Sequence, residues 1–162
     1  MRWNGLGHSA KGHLRLSGVD DYPEWDKQLV TYQWEGLPEV DWDSFEEGDP
    51  EIEEGIECYT DGSQIDEGPV GFGFIAHLPE VVEGSGSLGL GRTVFQGEVF
   101  AVQRAASMME DLEAMGPKHF YIDSQPAIRA LNNIECESKT VENCRRILTK
   151  FCLLYTSPSP RD

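Results

Sequence analysis

Asp61, Glu98 and Asp123 are the residues whose types and positions could do chemistry together. Asp61 follows the strand-like run Ile56-Glu57-Cys58-Tyr59-Thr60. Glu98 opens a segment of helical period, and Asp123 follows Lys118-His119-Phe120-Tyr121-Ile122. Singly, each has an ordinary explanation. Asp before Gly is common in turns, Glu is favoured in a first helical turn, and Asp before Ser can cap a helix. Jointly they stand at element ends, where open α/β sheets place their sites. Carboxylates forced together repel and raise one another's pKa, and a divalent cation relieves that repulsion. With no His or Cys in the set, hard oxygen ligands suit Mg²⁺, or Mn²⁺, rather than zinc.

The acids can meet only if the intervening elements fold back on one another. Residues 56–60 predict a strand, with Asp61-Gly62-Ser63 as its turn. Val70 to Leu78 predicts a second strand, Pro79 to Gly86 a turn or loop, and Ser87 to Phe95 a third strand. From Glu98 the period changes, and Val102, Ala105, Met109 and Leu112 share one helical face. Gly116-Pro117 stops that helix, and residues 118–122 form a fourth strand. Ser124 and Pro126 open a short helix through Leu131, ended by Asn132-Asn133. A last helix is expected from Lys139 to Leu154, with Val141, Cys144, Leu148 and Phe151 on one face. The order β-β-β-α-β-α-α predicts an α/β fold: a mixed sheet of three antiparallel strands and a parallel fourth, with packed helices.

Charge divides the chain. The net charge is −16, which argues against tight binding of a polyanion without help. Most of it lies in the first third, where Pro23, Pro38 and Pro50 break any long helix and Trp25, Trp34 and Trp42 interrupt the acidity. Residues 1–54 therefore read as an acidic, Trp-containing linker or the remnant of an upstream domain, and residues 55–152 as the domain. Cys58, Cys136, Cys144 and Cys152 form no C-x-x-C pair, so buried free thiols are expected rather than disulfides or zinc. No apolar run is long enough to span a membrane, and Met1 to Lys11 lacks an apolar signal core. An intracellular location, cytoplasmic or nuclear, is the expectation.

Three motifs in consistent order resemble a known family. Tyr59-Thr60-Asp61-Gly62-Ser63 resembles the first-strand motif of type 1 ribonuclease H domains. Thr93-Val94-Phe95-Gln96-Gly97-Glu98-Val99-Phe100-Ala101-Val102 is similar to the motif that supplies the family's glutamate. Tyr121-Ile122-Asp123-Ser124-Gln125-Pro126-Ala127-Ile128 is similar to its fourth-strand motif. The wording is closest to domains that follow reverse transcriptase in non-LTR retrotransposons. The resemblance implies a ribonuclease H-like fold and metal-dependent hydrolysis of the RNA strand of an RNA–DNA hybrid. It implies two Mg²⁺ ions, with Asp61 bridging them and Glu98 and Asp123 each assisting one. Gly62, Ser63 and Gln96 would help bind substrate. Val94 and Phe95 depart from the polar residues some relatives carry before the glutamate. A reverse transcriptase domain in the same polyprotein is the implied partner.

The family pattern also has a fifth strand, a histidine-containing loop and a final helix with a fourth aspartate. Residues 153–162 match none of these. Their Ser-Pro pairs read as a disordered tail foreign to the domain. Strand four is then expected to be an open edge, and activity is expected to suffer. The alternative is a catalytically inactive nucleic-acid-binding or structural module of a retroelement polyprotein.

Overall fold

The computed structural model describes residues 26–33, 37–40, 55–150 and 154–158. Two strands belong to the segment read as a linker: β1 (Lys27–Gln33) and β2 (Glu39–Val40). Trp25, Trp34, Trp42, Phe151 and Cys152 lie outside the described residues.

The central strand is β3 (Ile56–Gln64). Its alternation is that of a strand with one face on a core. Ile56, Cys58, Thr60 and Gly62 are buried, while Asp61 and Ser63 are exposed. The expected turn at Asp61-Gly62-Ser63 is not there. These residues continue the ladder, opposite Gly73, Phe72 and Gly71 of the antiparallel strand β4 (Val70–His77). The chain reverses later, where the Gly68 amide donates to the Ile65 carbonyl at 3.0 Å and Asp66 takes φ 50°.

Strand β5 (Val81–Gly89) pairs antiparallel with β4 and starts inside the expected loop. Glycines hid it. The rings of Phe74 and Phe72 lie across Gly84 and Gly86, so a Cβ there would come within 2.5 and 2.8 Å of them. The rings supply the packing that the glycines lack.

Helix α1 (Val94–Asp111) starts four residues earlier than its apolar period suggested. Thr93 is the cap: its Oγ1 accepts from the Gln96 amide at 3.2 Å, and Gln96 Oε1 accepts from the Thr93 amide at 3.0 Å. This reciprocal box satisfies two donors at once. Val94 and Phe95, expected at the end of a strand, are thus helical. Val102, Ala105 and Met109 are fully buried as expected, but Leu112 lies past the helix as its C-cap and is exposed.

Strand β6 (Lys118–Ile122) runs parallel to β3, as expected. Helix α2 (Gln125–Leu131) is capped by Ser124. Strand β7 (Glu135–Ser138), not expected from sequence, precedes helix α3 (Lys139–Leu148), which is shorter than expected. Val141, Cys144 and Leu148 form its buried face. The core also takes Val99, Phe120, Ile122, Ile128 and Leu131. Cys58, Cys136 and Cys144 are buried free thiols, and burial raises all three, Cys58 to about 12. No helix among the described residues is long and apolar enough to cross a membrane.

The edge expected to be open at β6 is covered. Strand β8 (Leu154–Pro158) lies parallel to it, from Lys118↔Leu154 to Ile122↔Pro158, and β2 lies parallel to β8. The sheet order is β2-β8-β6-β3-β4-β5. Two physical facts account for the difference. An unpaired β6 edge leaves backbone donors and acceptors unsatisfied, and Ser-Pro favours the extended backbone that a strand requires. Pro158 sits at the strand's end, where a missing amide costs least.

The acidic segment is also tied to the domain. Strand β1 pairs antiparallel with β7. Asp26, just before it, is buried, accepting from Ser138 Oγ at 2.6 Å and from the Thr140 amide and hydroxyl at 2.9 and 2.7 Å. Ser138 is itself the N-cap of α3, so Asp26 places a carboxylate at that helix's positive end.

Candidate metal centre

The site forms where the central parallel ladder stops. Thr60 and Ile122 are the last register partners of β3 and β6. Asp61, still on β3, and Asp123, the residue after β6, come next, outside the β3–β6 pairing. Just before them, Tyr59 and Tyr121 stack with centroids 4.6 Å apart and planes 12° from parallel. That stack joins the two strands directly below the acids.

Glu98 arrives from helix α1. It is the helix's fifth residue, not a first-turn acid. Two glycines let it come close. A Cβ on Gly62 would lie 2.4 Å from the Glu98 backbone nitrogen, and one on Gly97 would lie 2.9 Å from the Gly71 carbonyl oxygen. Helix and sheet therefore touch backbone to backbone at this point.

Asp61, Glu98 and Asp123 each offer a carboxylate oxygen, and these oxygens all lie within 4.8 Å of one another. Asp61 is exposed, Asp123 half-buried and Glu98 buried. Burial pushes Glu98 up to about 8, with Asp123 and then Asp61 adding repulsion. Asp61 is raised by partial desolvation of its carboxyl and by Asp123. The Gly62 backbone amide works in the opposite direction on both. These are the shifts expected when like charges share a partly dry site.

The set fits a hard divalent cation. Glu98 Oε2 is buried and has no hydrogen-bond partner among the described residues. A buried carboxylate oxygen without a donor is costly. A cation between the three groups would satisfy it and offset the repulsion. All three donors are oxygens, the chemistry of Mg²⁺ or Mn²⁺ sites.

The residues expected to assist substrate fall into different places. Ser63 is exposed two residues beyond Asp61 on the same strand. Gly62 is buried against α1, and its side of the strand faces Glu98 rather than solvent. Gln96 is 2 % exposed, and its side chain holds the helix cap. Sequence reasoning missed Thr93 and Gly97. The T-x-x-Q spacing before an apolar run was a readable signal for the first. Nothing local marks Gly97.

Solved ribonuclease H domains share this architecture. LC11-RNase H1, determined in complex with an RNA/DNA hybrid, superposes with a TM-score of 0.56 and 19% identity, over 66% of this chain and 86% of its own. The N-terminal RNase H domain of a Mycobacterium tuberculosis protein, solved as a fusion with maltose-binding protein, gives 0.57 and 15%, over 65% and 82%. The foamy viral protease–reverse transcriptase, in complex with an RNA/DNA hybrid, gives 0.52 and 21%, over 65% of this chain and 17% of its own. No family model and no curated protein matches the sequence. The fold is ribonuclease H-like: three antiparallel strands, β3 to β5, and the parallel β6, which β8 and β2 extend, with packed helices.

Proposed function

We propose that this chain is a type 1 ribonuclease H domain of a non-LTR retrotransposon polyprotein, and that it hydrolyses the RNA strand of RNA–DNA hybrids. The observation that carries the reading is the meeting of Asp61, Glu98 and Asp123 within 4.8 Å. It is supported by the orphaned Glu98 oxygen and by the three sequence motifs that contain these acids. Asp61, Glu98 and Asp123 would hold two Mg²⁺ ions. When bound, such a pair supplies activation of a water and stabilisation of the leaving 3′ oxygen. Asp61 is the most solvent-open of the three acids and would meet the substrate first. Glu98 is the most buried of the three. Ser63, exposed on the same strand, is placed to meet a phosphate or a 2′-hydroxyl. Hybrid shape, not base sequence, would be read.

The acidity of the chain leaves it a weak polyanion binder by itself. A reverse transcriptase domain in the same polyprotein would deliver the hybrid. Two of the similar solved chains were determined with an RNA/DNA hybrid, one of them a protease–reverse transcriptase.

The test is a panel of 5′-labelled RNA strands in an RNA–DNA hybrid and in an RNA duplex, with a labelled DNA duplex beside them. In Mg²⁺ the hybrid alone is cut, leaving 5′ phosphate and 3′ hydroxyl ends, and EDTA stops the reaction. Cleavage that survives EDTA, or that does not distinguish hybrid from DNA duplex, contradicts the reading.

A further inference from the structure

We infer that Gly62 and Gly97 are positioning residues that set the reach of Glu98, an inference that rests on the metal-centre reading above. Neither glycine takes a positive φ, so neither is required for its backbone freedom. Space is what they provide. A Cβ at Gly62 would lie 2.4 Å from the Glu98 nitrogen, 2.7 Å from the Gly97 carbonyl carbon and 3.0 Å from the Glu98 Cα. All three are backbone atoms, which cannot swing aside. From the helix side, a Cβ at Gly97 would lie 2.8 Å from Val70 Cγ1, 2.9 Å from the Gly71 oxygen and 3.5 Å from the Gly62 Cα. Neither glycine puts a side chain of its own into the contact, and only Val70 Cγ1 flanks it, beside Gly97.

Its position gives the contact a role. Gly62 follows Asp61, and Gly97 precedes Glu98. The gap between the two backbones is the baseline from which both carboxylates extend. A methyl group at Gly62 must move the Glu98 nitrogen from 2.4 Å to at least 3.0 Å away. Displacements of that order are enough to disturb a ligand set that must be held within about 0.5 Å. Gly84 makes a useful contrast. A Cβ there meets the Phe74 ring at 2.5 Å, a side-chain contact two strands away from Asp61.

The experiment compares Mn²⁺ affinity, by electron paramagnetic resonance or calorimetry, with thermal unfolding for wild type, Gly62→Ala and Gly84→Ala. We expect Gly84→Ala to lower the melting temperature while keeping the wild-type Kd. Gly62→Ala is expected to weaken Mn²⁺ binding at least tenfold with cooperative unfolding retained. A milder version is Gly97→Ala in a Val70→Ala background, which makes room on one side only and is expected to weaken binding about threefold. A folded Gly62→Ala that binds Mn²⁺ within twofold of wild type overturns the inference. So does failure of both site variants to fold while Gly84→Ala folds, because the contact would then determine folding rather than position. Absence of Mn²⁺ binding by wild type itself overturns the metal-centre reading, and this inference falls with it.

Discussion

Asp61 and Asp123 stand one residue beyond Thr60 and Ile122, the last partners in the parallel β3–β6 ladder. The ladder sets their separation, and nothing in the sheet's own hydrogen bonding requires two acids there. Each is adjacent to the other's charge, and Glu98 feels both. Such repulsion is what a bound cation would relieve.

Stability without metal should therefore fall as pH rises. The Glu98 carboxyl is raised from 4.5 to about 8, so the folded chain holds a proton that the unfolded chain releases. That contribution is fully present below pH 4.5 and is lost as pH climbs through about 8. At about 1.4 kcal/mol per pKa unit, the loss amounts to a few kcal/mol. Urea midpoints in EDTA between pH 5 and 9 measure it. Saturating Mg²⁺ should flatten the slope, and a slope already flat in EDTA would contradict the assignment.

The same reasoning predicts a pH-dependent sign for Glu98→Gln. In EDTA the variant should match wild type near pH 5, where Glu98 is protonated, and exceed it at pH 9, where the ionised carboxylate is penalised. It should lose most of the stabilisation that wild type gains from Mg²⁺. Thermal scans at the two pH values, with and without the ion, check both halves. A variant less stable than wild type at pH 9 in EDTA would show that Glu98 is held by an unrecognised donor.

Removal of the Thr93 hydroxyl should reach the site through the helix end. Thr93→Ala leaves the Gln96 amide without its acceptor, at a cost of about 1 kcal/mol. A denaturation series measures this. A change below about 0.3 kcal/mol would mean that water replaces the cap without loss.

The legible part of this molecule was what local pattern encodes. The three acids, the apolar stripe of α1 and the cap at Ser124 each announce themselves within a few residues. What sequence hid depends on distant partners. Gly62 looked like a turn glycine because Asp-Gly usually is one, yet its role is set by Glu98, 36 positions on. Strand β5 was obscured by glycines whose packing comes from Phe72 and Phe74 on the next strand. Strand β8 could not be read because its extended form is completed by β6. Asp26 gave no signal, since its partners Ser138 and Thr140 lie more than 110 residues away.

Asp26 carries a prediction about where the folded unit begins. Asp26→Ala would leave the Ser138 hydroxyl and the Thr140 amide and hydroxyl without their acceptor. Loss of a buried charged acceptor costs about 1–3 kcal/mol. Amide exchange in residues 27–33 should quicken in the variant more than exchange in β3. Equal protection of β1 in variant and wild type would show that strand pairing with β7 holds without the carboxylate.

The most direct test of the central claim is single-turnover cleavage of an RNA–DNA hybrid in Mg²⁺ by wild type and by Asp61→Asn. The expected rate is at least about 100-fold lower for the variant, as for loss of a transition-state-stabilising group, with melting temperature in EDTA unchanged or raised. A variant that cleaves the hybrid at the wild-type rate would contradict it, because a metal centre built on Asp61, Glu98 and Asp123 cannot work without the acid at its open side.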